Sequence, residues 1–406
     1  MRRIPWLLCC ALAALVASLA LACGGATSTN DQGGSTPETT ARNLATTPGP
    51  TTDEIRPSEG LTLAFPATQA TLTSLPVGYK IEAVLDGLHF PTGVAALPDG
   101  RFLITEQQSG DVRVVENGVL QPDPWLELSV SFAAGKFVEE LGLDNIAVDP
   151  DFARNRYVYL YFTEKQQSGE RHTVLARLRD VDGEGTDRQD IVVINVPTDG
   201  SHVAGGIAFD GEAILLGVGD HERPESALDL SEPTGKILRI DRDGDPLPDN
   251  PFADDPEADP RVYAYGMRNP FGIGVDNETR RAYFSDNRDT VGDALYELKA
   301  GANYGWPRYR VNYRLPLAIY EVPQGMAGVL VYHGDTLSIF DGDVLFCTYH
   351  YGGGLHWSEP DELAGLEIYK RDRLIAPACG SGLTEGIDGF VYYLDYGNGR
   401  LLRISN

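Results

Sequence analysis

The chain has 406 residues, 42% of them hydrophobic, with 45 Gly, 26 Pro and 3 Met. This composition suits two or three ordinary domains or one large β architecture and excludes a mostly disordered or mostly helical protein. Lys and Arg number 33 against 59 Asp and Glu, a formal net charge of −26, so the protein would repel a phosphate backbone and nucleic acid is excluded as a partner.

The first 22 residues have the composition of an export signal. Arg2 and Arg3 precede an apolar run over residues 4–22, and Cys23 follows small residues, which is the order of parts in a secretory signal peptide. The residues around Cys23 resemble the cleavage motif of bacterial lipoproteins, although Ala20 stands where Leu is more usual. We expect a lipoprotein signal peptide over residues 1–22 and a lipid anchor on Cys23. A plain signal peptide or an uncleaved helix is the alternative.

Residues 23–60 are rich in Thr, Ser, Gly and Pro and contain few large apolar residues, so they cannot bury enough surface to fold. They predict a flexible tether between the lipid anchor and a folded domain over residues 61–406. The protein is then exported and held at the extracytoplasmic face of the cell membrane through lipid alone. In that oxidising compartment, Cys347 and Cys379 could form a disulfide or remain two buried thiols.

One pattern recurs six times from residue 91 onward: an apolar strand start, a turn with Asp or Gly, an aromatic or aliphatic strand, then a strand led by Gly. The copies begin near residues 91, 141, 204, 269, 337 and 383, and these spacings fit four short strands with variable loops. One such unit cannot cover both its faces, so neighbours must stack. The pattern predicts an all-β, six-bladed β-propeller, closed by residues 79–85 near the last blade. A two-sheet sandwich would not show one pattern six times.

His202 and Asp220 flank the first two strands of the third copy. In a propeller, loops at one end of the central channel bring together side chains from every blade. Because only a hairpin separates the two residues, the carboxylate could orient the imidazole and raise its basicity, which suits proton abstraction. A structural histidine is the alternative.

Arg268 and Asn269 lie immediately before the first strand of the fourth copy. A guanidinium beside an amide, held by the following Pro270, offers donors to an oxygen that becomes negative. An arginine that joins two blades through backbone carbonyls is the alternative. The nearby segment 301–307 contains Tyr304 and Trp306, which could line the channel and stack on a sugar ring or could simply pack.

Hard oxygen ligands are concentrated after the second strand of the fourth copy. Asn287, Asp289 and Asp293 lie within one loop, a set that suits Ca²⁺ better than a transition metal. The acidic run over residues 241–245 begins like a Ca²⁺ loop, but Phe252 stands where such a loop has its last Glu. We interpret that run as a solvated loop.

From about residue 75 to residue 404 the chain resembles the soluble glucose/sorbosone and aldose sugar dehydrogenases that depend on pyrroloquinoline quinone (PQQ). The motifs that carry the resemblance are Asp149-Pro-Asp-Phe152, Ser201-His202, Gly219-Asp220, Gly235-Lys-Ile-Leu-Arg239, Asp249-Asn-Pro-Phe252, Tyr265-Gly-Met-Arg-Asn-Pro270 and Gly301-Ala-Asn-Tyr-Gly-Trp-Pro307.

The resemblance implies a six-bladed propeller that oxidises an aldose at its anomeric carbon. His202 would take the proton of the anomeric hydroxyl while hydride passes to PQQ, Asp220 would orient His202, and Arg268 would stabilise the reduced oxygen. It also implies that the cofactor contacts Glu140, Asn269 and Asn287 together with His202 and Arg268. Ca²⁺ held by Asn287, Asp289 and Asp293 would polarise the quinone, and an external acceptor would take the electrons.

The chain departs from the family pattern at five places, and one of them is Ser201, which stands where an Asp often precedes the catalytic His. Residues 140–145 keep only Glu140 and part of the turn of the family motif Glu-Gly-Gly-Leu-Leu-Gly. Residues 287–294 differ from the usual Ca²⁺ loop, and the segments 347–354 and 380–385 lack the cations that neutralise the quinone carboxylates, unless Arg288 or Arg308 supplies them. Two alternatives follow: a Ca²⁺-dependent propeller lactonase, and a carbohydrate- or protein-binding propeller without a cofactor.

Overall fold

The computed structural model describes residues 71–72, 75–132, 140–166, 168–196, 201–289, 292–309, 312–320, 323–350, 353–359 and 373–406. The signal peptide predicted for residues 1–22, the tether predicted for residues 23–60 and the lipid-anchor residue Cys23 lie outside the described residues. Within the described residues, no helix combines the length and the apolar character needed to cross a membrane.

Strands dominate the described chain, and the first three sheets follow one another in sequence. Two strands come earlier, β1 (Thr71–Leu72) and β2 (Lys80–Asp86). The first sheet contains β3 (Pro91–Ala96), β4 (Phe102–Glu106), β5 (Asp111–Glu116), β6 (Val119–Leu120) and β7 (Leu126–Glu127). The second contains β8 (Leu143–Val148), β9 (Tyr157–Lys165), β10 (Arg171–Val181) and β11 (Glu184–Val196). The third contains β12 (Ala204–Asp210), β13 (Ala213–Val218), β14 (Lys236–Ile240) and β15 (Val262–Tyr265).

The last three sheets repeat this arrangement. The fourth contains β16 (Pro270–Val275), β17 (Ala282–Asp286), β18 (Asp293–Leu298) and β19 (Ala318–Tyr320). The fifth contains β20 (Met326–Val331), β21 (Val344–Thr348), β22 (Gly354–Ser358) and β23 (Arg373–Pro377), with β1 beside β23. The sixth contains β24 (Leu383–Glu385), β25 (Val391–Asp395) and β26 (Arg400–Ser405), with β2 beside β26. Helical structure in the described residues is limited to α1 (Phe152–Asn155) and the 3₁₀ turns Pro224–Leu228 and Ser338–Phe340.

The first strands of the six sheets form a closed ring. They contact one another in the order β3, β8, β12, β16, β20 and β24, and β24 contacts β3. The ring is also closed at its outer side, because the early strand β2 pairs antiparallel with the last strand β26. The fold is therefore an all-β, six-bladed propeller, as predicted, and the predicted closure by residues 79–85 is confirmed.

Buried apolar side chains lie between neighbouring blades. Successive residues of a strand point to opposite faces of its sheet, so both faces of each blade must be covered. Six apolar clusters each combine residues of two adjacent blades. Leu103 of the first blade and Leu160 of the second share one cluster, and Ile104 of the first and Leu394 of the sixth share another. Stacking of neighbours around the ring supplies the core.

The position predicted for the fifth copy is wrong by about one strand. Its first strand is β20, which begins at Met326, whereas the repeat pattern placed the start near residue 337. Leu337 instead precedes the 3₁₀ turn Ser338–Phe340. The sequence Ile339-Phe-Asp-Gly342 imitates a strand followed by a turn, but the backbone forms one turn of 3₁₀ helix before β21.

The two cysteines of the propeller form a disulfide. Cys347 lies in β21 and Cys379 follows β23, and their Cα atoms are 5.0 Å apart, within the range of a disulfide. Both residues are buried. The bond joins the fifth blade to the segment that leads into the sixth, and it decides between the two states that the sequence left open.

Candidate functional site

Loops from all six blades meet at one end of the channel. In an antiparallel pair the start of the first strand lies beside the end of the second, as Ala204 does beside Val218 and Pro270 beside Asp286. His202 precedes β12 and Asp220 follows β13, while Arg268 precedes β16 and Asn287 follows β17. The predicted site residues therefore converge at this end, which we call the cavity end.

His202 and Asp220 form a short hydrogen bond. The His202 Nδ1 lies 2.7 Å from the Asp220 Oδ1, with side chains 15% and 0% exposed. Two other groups donate to the same carboxylate: the Glu222 N–H to Oδ1 at 3.0 Å and the Trp306 Nε1–H to Oδ2 at 2.8 Å. Since an ionised carboxylate only accepts hydrogen bonds, Nδ1 carries the imidazole proton. The other ring nitrogen, Nε2, then carries the lone pair.

Glu140 joins the third and fourth blades at the same end. Its Oε2 accepts the backbone N–H of His202 at 2.8 Å and the Nδ2–H of Asn269 at 2.9 Å. The segment before His202 is thereby attached to the segment that carries Arg268. The carboxylate also lines the cavity described below.

Arg268 is held by its backbone and by its side chain. Its N–H and that of Asn269 donate to the buried carboxylate of Asp286 at 3.1 and 2.7 Å. Burial raises the pKa of Asp286 to about 6, although these two donors act in the opposite direction. The Arg268 guanidinium donates to the Asn287 carbonyl at 3.0 Å and lies 5.8 Å from the ring centre of Trp306. The backbone carbonyl of Arg268 accepts the Asp220 N–H at 2.8 Å, so Arg268 adjoins the His202–Asp220 pair.

A cavity of about 580 Å³ opens at this end, a volume in the range of small-molecule sites. Five predicted residues line it: Glu140, Arg268, Asn287, Asp289 and Asp293. All the predicted cofactor-binding and catalytic residues are thus close to the cavity. Some line it, His202 and Asn269 are bonded to the lining residue Glu140, and Asp220 is bonded to His202.

One of the three residues predicted to hold Ca²⁺, Asp293, has other partners for both of its carboxylate oxygens. The Asp293 Oδ1 accepts the Arg288 N–H at 3.0 Å, and its Oδ2 accepts the backbone N–H groups of Gln324 and Gly325 at 2.7 and 2.8 Å. Asp289 is exposed. Among the residues that the structure describes, no group of three or more His, Cys, Asp or Glu side chains is spaced to hold a metal. The Ca²⁺ site therefore stays a prediction.

Two candidate sources of positive charge lie in different surroundings. Arg288 is buried, lines the cavity and donates to the Gly292 carbonyl and the Tyr296 hydroxyl at 2.6 and 2.7 Å. Arg308 instead forms an ion pair with Glu225 at the surface. Of the two arginines named from the sequence, Arg288 is the one placed to meet an anion in the cavity.

Sequence reasoning missed the aromatic side of the cavity. Gln107, Tyr349 and Tyr396 line it together with His350 and Ser381. The first three each directly follow the second strand of a blade, the position that Asn287 occupies in the fourth blade. That position could have identified them. Tyr396 donates to the Gln107 Oε1 at 2.7 Å, and its ring packs edge-to-face against Tyr349 at 5.3 Å.

Comparisons with known proteins agree with this geometry. A family described as Glucose / Sorbosone dehydrogenase matches residues 88–403. An uncharacterized protein of Synechocystis is 31% identical over 368 residues, 80% of this chain and 86% of that protein. The aldose sugar dehydrogenase YliI of Escherichia coli is 26% identical over 364 residues, 83% of this chain and 95% of that protein.

A solved structure shows the same fold. The PQQ-bound form of aldose sugar dehydrogenase from Streptomyces coelicolor superimposes with a TM-score of 0.65 at 24% identity, covering 82% of this chain and 99% of that one.

Proposed function

Because the chain belongs to the Glucose / Sorbosone dehydrogenase family, we propose that it oxidises an aldose-type sugar at the anomeric carbon and passes the electrons to PQQ. The family supports sugar dehydrogenase activity with PQQ. The anomeric position, the hydride transfer and an external electron acceptor are our additions.

One observation carries the proposal: His202, Asp220 and Arg268 adjoin one another, and Arg268 and the Glu140 that binds His202 line one cavity. With the proton of His202 on Nδ1, bound to Asp220 at 2.7 Å, Nε2 is the basic nitrogen that can accept the proton of a sugar hydroxyl. Asp220 stabilises the imidazolium that results. Arg268 supplies a fixed positive charge to an oxygen that becomes negative. Loss of a hydride from carbon and of a proton from oxygen converts the anomeric alcohol into a lactone.

The cavity has donor and acceptor groups that fit PQQ. The cofactor carries three carboxylates, and Arg268 and Arg288 are the guanidinium groups that line the cavity. Asn269 Oδ1 and Asn287 Oδ1 are buried and have no hydrogen-bond partner among the described residues, so each can accept from a bound molecule or ligate a cation. When bound, PQQ would accept the hydride. The residues that would hold PQQ are Arg268, Arg288, Glu140, Asn269 and Asn287.

Calcium is proposed at the same wall. The buried Asn287 Oδ1 and the exposed Asp289 carboxylate are hard oxygen ligands. Asp293 would contribute if the ion displaced one of the three backbone donors that its oxygens now accept.

Location follows from the sequence alone. We propose that a lipoprotein signal over residues 1–22 directs export, that Cys23 is lipidated and that residues 23–60 tether the propeller to the outer face of the membrane. Labelling with radioactive palmitate, compared between the wild type and Cys23→Ser, tests this. An unlabelled wild-type protein would contradict it.

Turnover tests the enzymatic proposal. Purified protein is incubated with PQQ and Ca²⁺, and reduction of a redox dye is recorded with a panel of aldoses. We expect dye reduction that requires both PQQ and an aldose. Lactone hydrolysis without PQQ would support the lactonase instead. Saccharide binding without either reaction would indicate a binding propeller.

A further inference from the structure

The indole of Trp306 contacts two groups of the site at once. Its Nε1–H donates to the Asp220 Oδ2 at 2.8 Å, and the Arg268 guanidinium carbon lies 5.8 Å from its ring centre. The residue is 8% exposed, and its backbone N–H donates to the Gly266 carbonyl at 2.9 Å. Trp306 is therefore fixed at both its backbone and its side chain.

The contact with Asp220 determines how that carboxylate is oriented. The Asp220 Oδ1 accepts from His202 Nδ1 and from the Glu222 N–H, whereas the Trp306 indole donates to Oδ2. A carboxylate that accepts charge-assisted hydrogen bonds at both oxygens cannot rotate without breaking one of them. Asp220 is fully buried, so water cannot replace a lost donor.

We infer that Trp306 is a positioning residue: it holds Asp220 so that Oδ1 faces His202, and it keeps Arg268 beside the pair. The indole donor also withdraws charge from the carboxylate, which limits how strongly the pair retains a proton. For turnover this inference rests on the proposed function. The coupling of Trp306 to His202 is a property of the protein itself and is measurable without activity.

A role as a sugar-stacking surface makes a different prediction. Neither Trp306 nor His202 is among the residues that line the cavity, so the lining does not separate the two roles and kinetics must. A residue that binds sugar directly raises KM when it is removed, whereas one that acts through Asp220 lowers kcat with little change in KM.

The chain offers a closely matched control at the opposite end of the fifth blade. Trp357 donates from Nε1 to the Asp343 Oδ2 at 2.6 Å, and the Arg373 guanidinium carbon lies 4.2 Å from its ring centre. Trp357 is 6% exposed. It has the same three kinds of group as Trp306, but Asp343 and Arg373 lie at the end of the blade opposite the cavity and are not among the residues that line it.

The first experiment leaves the site intact. The indole ¹H–¹⁵N signals of the protein are followed from pH 5 to pH 9 by NMR and assigned through Trp125→Phe and Trp357→Phe. His202→Ala identifies the ring signals of His202. We expect the Trp306 signal to titrate with the same midpoint as His202. A Trp306 signal that does not follow His202 overturns the inference.

The second experiment removes the donor. Trp306→Phe keeps a ring beside Arg268 but has no N–H, and Trp357→Phe makes the same change at the control position. We expect the pKa of His202 to rise by about half to one unit in Trp306→Phe, because the carboxylate loses a donor. The control should leave it unchanged. Trp306→His, which restores a ring N–H, should return it toward the wild-type value. An unchanged or lower pKa in a folded Trp306→Phe contradicts the inference.

Turnover provides a third readout. Trp306→Phe should lower kcat about tenfold with less than a twofold change in KM, and it should add little to the effect of Asp220→Asn in the double variant. A large rise in KM would instead show direct contact with the sugar and overturn the inference. If the wild type has no dehydrogenase activity, the proposed function fails, while the two NMR experiments still decide the role of Trp306.

Discussion

Two histidine–aspartate pairs lie at opposite ends of the propeller. At the cavity end, His202 and Asp220 are 2.7 Å apart. At the other end, where β16 and β20 finish, the His333 Nε2 lies 2.9 Å from the Asp276 Oδ1. Both aspartates are buried and both histidines are partly exposed. As isolated pairs they are nearly equivalent.

Their neighbours differ. Near His202, Asp220 accepts an indole donor, and Arg268 and Glu140, which adjoin the pair, line a cavity of about 580 Å³. Around His333 the other groups are acidic: Asp341 at 3.4 Å, Glu278 at 3.8 Å and Glu385. Burial by itself would lower the pKa of His333. The hydrogen bond and charge of Asp276, followed by Glu278 and Asp341, outweigh burial and raise the pKa.

The comparison shows that a His–Asp contact alone does not specify chemistry. Acidic neighbours favour the protonated imidazole of His333, and a cation cannot accept a proton. Beside the His202–Asp220 pair, Arg268 supplies a fixed cation and lines the cavity, an arrangement that suits proton transfer from a bound alcohol. Equivalent substitutions at the two ends should therefore have unequal effects on turnover.

The largest contrast is expected for the histidines. His202→Ala should lower kcat about 100- to 10,000-fold because the proton acceptor is lost, whereas His333→Ala should retain wild-type kcat within about twofold. Steady-state dye reduction at saturating aldose measures both, and circular dichroism checks that both variants fold. Equal losses in the two variants would remove the distinction between the ends.

The aspartates should show a smaller contrast. Asp220→Asn keeps the size of the side chain but removes the charge that stabilises the imidazolium. Loss of one charge-assisted hydrogen bond should lower kcat on the order of 10- to 100-fold. Asp276→Asn, the matched change, should leave kcat unaffected. Full activity in a folded Asp220→Asn protein would show that the carboxylate has no part in turnover.

The smallest effect concerns stability, and it should appear at His333. Because its pKa in the folded protein is raised, His333 stabilises the fold below its unfolded pKa of about 6.5, and this contribution is lost as pH rises through the folded value. His333→Gln should therefore lower the free energy of unfolding by at most about 1 kcal/mol at pH 5.5 and have no effect at pH 9.

Urea unfolding at the two pH values measures this difference. Asp276→Asn should give the same loss of pH dependence, since it removes the main partner of His333. A His333→Gln effect that is equal at pH 5.5 and pH 9 would exclude protonation of His333 as its cause.

The fold was readable from the sequence to the level of the blades. Six copies of one strand pattern predicted six sheets, and the need to close the ring predicted that residues 79–85 pair near the last blade, as β2 does with β26. The fifth blade was misplaced because Ile339 and Phe340, apolar residues before Asp341-Gly342, imitate a strand and form a 3₁₀ turn. Local pattern cannot separate these two cases, since both bury apolar side chains ahead of a turn.

Within the site, positions next to strands were predictable and side-chain partners were not. His202, Asp220 and Arg268 were found because each flanks a repeat strand. Nothing in the sequence showed that Asp293 would accept three backbone N–H groups, which is a competing use of a predicted Ca²⁺ ligand. Hydrogen bonds to the backbone of a distant loop carry no sequence pattern.

The sequence by itself determined the blade number, the closure of the ring and the strand ends at which polar residues collect, because alternation along a strand and turn chemistry act over a few residues. The tertiary structure alone decided that Trp306 donates to Asp220, 86 positions away, and that Cys347 bonds Cys379. Such contacts depend on how the blades pack around the axis. Packing sums many small contacts over the whole ring, so no short segment of the chain encodes it.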